Sequence, residues 1–186
     1  MTIAMVVGRA KGVWDEVAAT KALGKIDLVL VTGPIAEDYP EHIDCWVWFH
    51  TEKFAYHAER RAKNGYPPVG EYWSIKHGAR TRIGALPDCK YIDWQKGGSS
   101  GLIAVVIALQ EKGVDGVVLA GCPMTMDGGQ YDTGKVWTEA PRYRKPWEDN
   151  ISMLAGRVKS HSGWTKELLG APTPEWWEVI NNRAAA

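Results

Sequence analysis

A chain of 186 residues, 45% hydrophobic and 24% charged, has the make-up of one globular domain with enough apolar material for a core, which excludes a disordered tail. Lys+Arg and Asp+Glu are both 22, so the formal charge is zero; this excludes a protein that holds nucleic acid chiefly by neutralising phosphates, though not one that binds small charged ligands. Three cysteines (Cys45, Cys89 and Cys122) without Cys-x-x-Cys spacing read as reduced thiols in a cytoplasmic protein.

Residues 2–7, "TIAMVV", form a continuous apolar run ending at Gly8, the pattern of a strand buried on both faces. No basic leader precedes it, and no segment reaches the length that spans a bilayer, so a soluble intracellular chain is expected. "GRAKGVWDEVAATKALG" then supplies a loop and a helix with Val13, Trp14, Val17 and Leu23 on one side, closed by Gly24. "KIDLVLVTG" (25–33) predicts a second buried strand and "DCWVWFH" (44–50) a third. Thr51 is expected to cap a helix, "EKFAYHAERRAKNG", that stops at Gly65. "YWSIK" and "CKYIDW" (89–94) predict short strands. "GLIAVVIALQEKG" predicts an apolar helix ended by Gly113, and "VDGVVLAGCPM" (114–124) the clearest buried strand. After a long loop come a helix over about 147–157, a last strand and turn in "VKSHSGW", and a terminal helix in "TPEWWEVINN".

This alternation predicts an α/β, Rossmann-like domain over 1–172, a mostly parallel sheet with helices on both faces, followed by a C-terminal helix and tail over 173–186. Trp176, Val179 and Ile180 occur at helical spacing, a stripe that would dock on the domain or on a second subunit, and a homo-oligomer is open. Ala184–Ala186 are expected to be disordered. Ten tryptophans against two phenylalanines suit both core packing and stacking on rings of a ligand.

In such sheets ligands bind at the carboxyl ends of the strands, beside the switch in strand order. That rule selects Gly8, Arg9, Lys11 and Gly12 in the first strand-to-helix turn, where helix N–H groups and basic side chains suit a phosphate. It also selects Gly97, Gly98, Ser99, Ser100 and Gly101 before the apolar helix; Ser there is equally an ordinary N-cap. The third strand brings His50, Glu52 and Lys53 to the same edge. Asp127, Gln130, Tyr131 and Asp132 lie in the long loop, which Gly128-Gly129 would make mobile as a lid, and His161 follows the last strand. His50 and His161 are the candidate acid–base groups, with Lys53 beside them as a candidate catalytic cation. His77 is a further option, while His42 and His57 read as loop and helix-surface residues.

The stretch "GGSSGLIAVVIALQEKGVDGVVLAGCPMTMDGGQYD" resembles the Ser-Gly helix, buried strand and Gly/Tyr loop of the bacterial sialyltransferase-like group, which includes the motility-associated-factor glycosyltransferase-like domains. "VVGRAKGVWDEV" resembles their first turn, and "FHTEKF" and "SGWTKELLG" resemble small proteins carried by bacteriophages. The first turn departs from the group in having Arg9-Ala10-Lys11-Gly12 where Asn and Pro-Ser are usual, and 186 residues leave little room for a lid domain with a catalytic His. The resemblance implies a nucleotide or nucleotide-sugar pocket.

The leading expectation is therefore a Rossmann-like nucleotide- or nucleotide-sugar-binding protein with glycosyltransferase-like chemistry, in which His50 or His161 deprotonates the acceptor and Lys53 or Arg9 stabilises the departing phosphate. No Asp-x-Asp motif occurs, so metal-independent chemistry without a resident cofactor is expected. One alternative is a phage accessory protein that sequesters a nucleotide without turnover. Another is an N-glycosidase or deoxyribosyltransferase with Glu52 or Asp127 as nucleophile.

Overall fold

The computed structural model describes residues 1–76 and 88–182; His77 and Ala184–Ala186 lie outside them. Seven strands, β1 (Ile3–Val7), β2 (Leu28–Thr32), β3 (Ile43–Val47), β4 (Val69–Ile75), β5 (Lys90–Ile92), β6 (Gly116–Ala120) and β7 (Val158–Ser160), form one sheet in the order 5-4-3-2-1-6-7. Every pairing is parallel. β1 and β6 are buried at every position because helices cover both faces, which is why their sequences are unbroken apolar runs.

The pleat separates two cores. Ala4 and Val6 face the helix α3 (Ser100–Val106), which continues as a π-turn over Ile107–Glu111. Met5 and Val7 face the side of α1 (Val13–Leu23) and α2 (Phe54–Lys63). The tryptophans serve this packing first. Trp46 is fully buried, stacks on Trp48 at 6.3 Å, and donates its indole N–H to the Gly33 carbonyl at 2.7 Å.

Several local expectations change. β2 and β3 are joined by a short 3₁₀ segment, Gly33–Glu37, in a stretch for which the sequence predicts no element. Thr51 is not a cap: it opens a 3₁₀ turn, and its hydroxyl is buried without a partner among the described residues. The helix expected over 147–157 is two short ones, α4 (Lys145–Asp149) and α5 (Ile151–Leu154), broken at Asn150. Asn150 leaves the helical region and spends its side-chain amide on the Pro146 carbonyl at 2.7 Å. After β7 come α6 (Gly163–Leu169) and α7 (Pro174–Asn182).

α7 docks on the amino-terminal end of β1 and β6. Trp177 and Ile180 are buried against Ile3 and Val118 with Trp176 packed beside them; of the expected stripe Ile180 and Trp176 face the domain, Trp177 joins them, and Val179 is exposed. A Cβ on Gly24 would come within 2.5 Å of the Trp177 indole nitrogen, so that glycine makes room for the ring. Trp177→Ala is expected to cost about 3–5 kcal/mol, and truncation after Pro172 to lower the melting temperature at least as much. An unchanged thermal melt of either would show that α7 is not part of the fold.

Glu71 in β4 accepts from Lys112 at 2.6 Å, Lys90 at 2.8 Å and the Trp73 indole at 2.6 Å. Burial alone would raise this carboxyl, but the three donors hold it down at about 2. Its folded pKa lies below the unfolded one, so its stabilisation is complete above about pH 4.5 and is lost as pH falls toward 2. Glu71→Gln should flatten that acid limb of the unfolding free energy measured against pH.

Candidate functional site

The strand order reverses at β1, which has β2 on one side and β6 on the other. A cavity of about 740 Å³ opens at the carboxyl ends of these strands, where the reversal leaves a crevice. Gly8, Arg9 and Ala10 form its floor, with Thr32 at the end of β2, Pro34 just beyond it, and Gly121 to Thr125 beyond β6.

The floor depends on close backbone approach. A Cβ on Gly8 would lie 2.3 Å from the Gly121 carbonyl oxygen and 2.5 Å from the Cys122 sulfur. Gly8 N donates to the Ala120 carbonyl at 2.7 Å, which fixes that approach. Met124 is the one non-glycine residue with positive φ (52°) among the described residues, and Arg144 Nε binds its carbonyl at 2.9 Å. Burial pushes the Cys122 thiol up to about 12, so it stays protonated and serves as packing.

The long loop after β6 is tied down rather than free. Ala10 and Gln130 form an antiparallel bridge, Lys11 N binds the Gly129 carbonyl at 3.0 Å, and Tyr131 N binds the Arg9 carbonyl at 3.1 Å. Arg9 pairs with Asp132 across the same contact, while its Nε is buried with no partner among the described residues. Asp127, Gln130 and Lys135 therefore line the cavity. Tyr131 does not: its hydroxyl donates to Asp38 and its ring meets Trp14 edge-on at 5.5 Å. Lys11 and Gly12 are also outside, because the chain has already turned away to start α1; Gly12 takes φ 83° there.

The pentapeptide before α3 divides in two. Gly97 and Gly98 supply the positive φ values, 70° and 115°, of a turn that stays outside the cavity. Ser99 caps α3 by accepting from Leu102 N at 3.3 Å. Ser99, Ser100 and Gly101 line the cavity, and the first N–H groups of α3 have no intrahelical partner.

The wall from β3 carries Trp48, Phe49, His50 and Lys53. His50 is an exposed imidazole with Nδ1 3.3 Å from Glu52. The unexpected member is His57, which lines the cavity and whose Nδ1 meets the buried side chain of Glu37 within hydrogen-bond distance. Helical spacing held the signal, since position 57 shares a stripe with the buried Phe54 and Arg61. His161 lies elsewhere: its Nε2 is 2.8 Å from the Thr20 hydroxyl on α1, and burial pushes its imidazole below the usual value. Of the two carboxylates considered as nucleophiles, Asp127 lines the cavity and Glu52 does not.

Charge at the site is uneven. Arg9, Lys53 and Lys135 face the cavity with Asp127 as the only lining aspartate or glutamate, and neither lysine makes an ion pair among the described residues. Lys53 rests over the Trp48 ring, 6.0 Å from its centre. Trp137 and Tyr143 close the far side, 5.3 Å apart and 31° from parallel. Among the described residues no helix is long and apolar enough to cross a membrane, and no group of three or more His, Cys, Asp or Glu is placed to hold a metal ion.

No protein-family model and no curated protein sequence matches this chain. Among solved structures it is similar to the crystal structure of the sialyltransferase CST-II in complex with a trisaccharide acceptor and CMP. The TM-score is 0.59 at 11% sequence identity, over 93% of this chain and 87% of that one. At that identity the likeness is one of fold, and it agrees with the Rossmann-like α/β architecture.

Proposed function

We propose that the protein binds a nucleotide or nucleotide sugar in the cavity at the β1–β6 switch point and acts as a glycosyltransferase-like enzyme that needs no metal. The observation that carries this reading is a cationic cavity at the strand reversal: Arg9, Lys53, Lys135 and the start of α3 converge in a chain whose net charge is zero. An anion gains there from fixed positive charge and from unpaired N–H groups. The phosphates lie over Gly8–Ala10 and Ser99–Gly101. The aromatic pair Trp137–Tyr143 offers ring faces to a sugar. The fold shared with a sialyltransferase that was crystallised with CMP makes CMP the first probe.

The test is thermal stabilisation by a panel of nucleotides and nucleotide sugars, each with and without a chelator. Saturation at about 100 times Kd adds roughly 2.7 kcal/mol to stability. Ser100→Ala is expected to lose about 1.5–3 kcal/mol of affinity if its hydroxyl meets a charged phosphate, at an unchanged melt. Gly98→Val is expected to do the reverse, because its φ of 115° and Leu102 at 2.8 Å penalise a side chain while the residue stays outside the cavity. No stabilisation by any member of the panel would overturn the reading.

A further inference from the structure

We infer that Glu37 and His57 are the acid–base unit of this cavity, with His57 the group that accepts the proton of the attacking hydroxyl and Glu37 the residue that positions it. The inference rests on the reading that a glycosyl group is transferred here. Two separate chain segments build the pair. Glu37 closes the 3₁₀ segment after β2 and is 7% exposed; His57 sits in the second turn of α2 with a side chain 14% exposed. Glu37 accepts from His57 Nδ1 and from Arg60 Nε, so its charge is held by two donors. Trp48 lies against the imidazole with ring centres 4.9 Å apart, which fixes the plane of the ring.

With Nδ1–H committed to a carboxylate, Nε2 is the nitrogen that carries the lone pair. It has no partner among the described residues, and the residue lines the cavity. The groups around the imidazole are Glu37 from the β2 side, Tyr56 and Arg60 from α2, and Arg9 from the turn after β1. Burial, then the charges of Arg60 and Arg9, push His57 below its usual value. That direction favours the neutral ring a base must present. His50, with a side chain 58% exposed and a looser carboxylate contact, has no comparable fixed orientation.

The step balances on these groups. The acceptor oxygen forms a bond to the anomeric carbon of the donor as that carbon's bond to the phosphate oxygen breaks. The bonding pair leaves on the phosphate, facing Arg9, Lys53 and Lys135. The hydroxyl proton passes to Nε2, and the resulting imidazolium is stabilised by the Glu37 carboxylate.

The test combines ring NMR with turnover. Nitrogen shifts of the histidines, followed against pH in the full chain, should show His57 as the Nδ1–H tautomer. Its titration should move to lower pH in Glu37→Gln, whose amide oxygen still accepts the hydrogen bond. An Nε2–H tautomer, or a titration indifferent to Glu37→Gln, overturns the inference. With a CMP-linked sugar as donor and water or a saccharide as acceptor, His57→Gln should lose about 100- to 10,000-fold in kcat while CMP still stabilises the protein. Glu37→Gln should shift the acid limb of the kcat profile to lower pH, which loss of a structural contact alone would not do. Turnover by His57→Gln within about twofold of the wild type overturns this assignment and leaves the proposed function standing. A wild type that binds no nucleotide and turns nothing over sinks both, and its own inactivity separates that case from failure of the pair.

Discussion

Gly8→Ala is expected to cost about 3 kcal/mol or more and to open the floor of the cavity, because its methyl group would meet backbone as well as the Cys122 side chain. The added Cβ would sit 2.3 Å from the Gly121 carbonyl oxygen, a contact that no rotamer change relieves. Either β1 separates from β6 at this end or the Gly121–Cys122 peptide shifts, and the cavity floor moves with it. Gly12→Ala is the control, with no atom within 4 Å of its added Cβ. Its cost is confined to an L-residue at φ 83°, about 1–2 kcal/mol. Denaturant unfolding of the two variants should therefore rank Gly8 well above Gly12. Equal losses would show that the approach of β1 to β6 relaxes freely.

The second large effect is expected at Arg61. This guanidinium is 2% exposed and donates to four main-chain carbonyls: Pro67 at 2.8 Å, Ala36 at 2.8 Å, Glu41 at 2.5 Å, and Tyr39. Arg61→Met keeps much of the volume but strands those acceptors where water reaches them poorly, so a loss of about 3–5 kcal/mol is expected for breaking the buried cluster as a whole. At this chain length that corresponds to a fall in Tm of about 2–4 °C per kcal/mol. Arg61→Lys should recover only part of it, because one ammonium cannot span acceptors arranged for a planar fork. Arg61 also ties α2, which carries His57, to the segment that carries Glu37. Loss of the clamp should thus loosen that pair together with the fold. A melt for Arg61→Met within about 2 °C of the wild type would mean water replaces the clamp at little cost.

The sequence by itself determined the sheet. Strands buried on both faces must be apolar at every position, so "TIAMVV" and "VDGVVLAG" identify β1 and β6 without any partner in view. The glycines before α3 are legible as unusual but are selected for the ligand site, whereas Gly97 and Gly98 serve a turn at positive φ that few other residues take cheaply. The general place of the cavity followed from the strand alternation alone. Its contents followed only in part. Gly8, Arg9, His50, Lys53, Ser100 and Asp127 line it as expected, but Trp48, His57 and Lys135 join them across long stretches of chain, and only the tertiary arrangement leaves out Gly98, Lys11 and Tyr131.

His57 shows the reason most clearly. Its local sequence is polar, and a polar helix face usually meets solvent, but Glu37 arrives from twenty residues earlier to meet its Nδ1. The loop with Gly128-Gly129 is likewise held by pairing with Arg9–Lys11 that no local pattern announces. At α7 the choice between adjacent tryptophans rests on the shape that receives them: Gly24 makes room for the ring of Trp177, while Trp176 lies across Gly116 and donates to the Gly156 carbonyl at 3.0 Å. Periodicity reports how much apolar surface an element must bury. Which side chain does the burying, and which polar group is left facing a cavity, depends on the surface that comes to meet it.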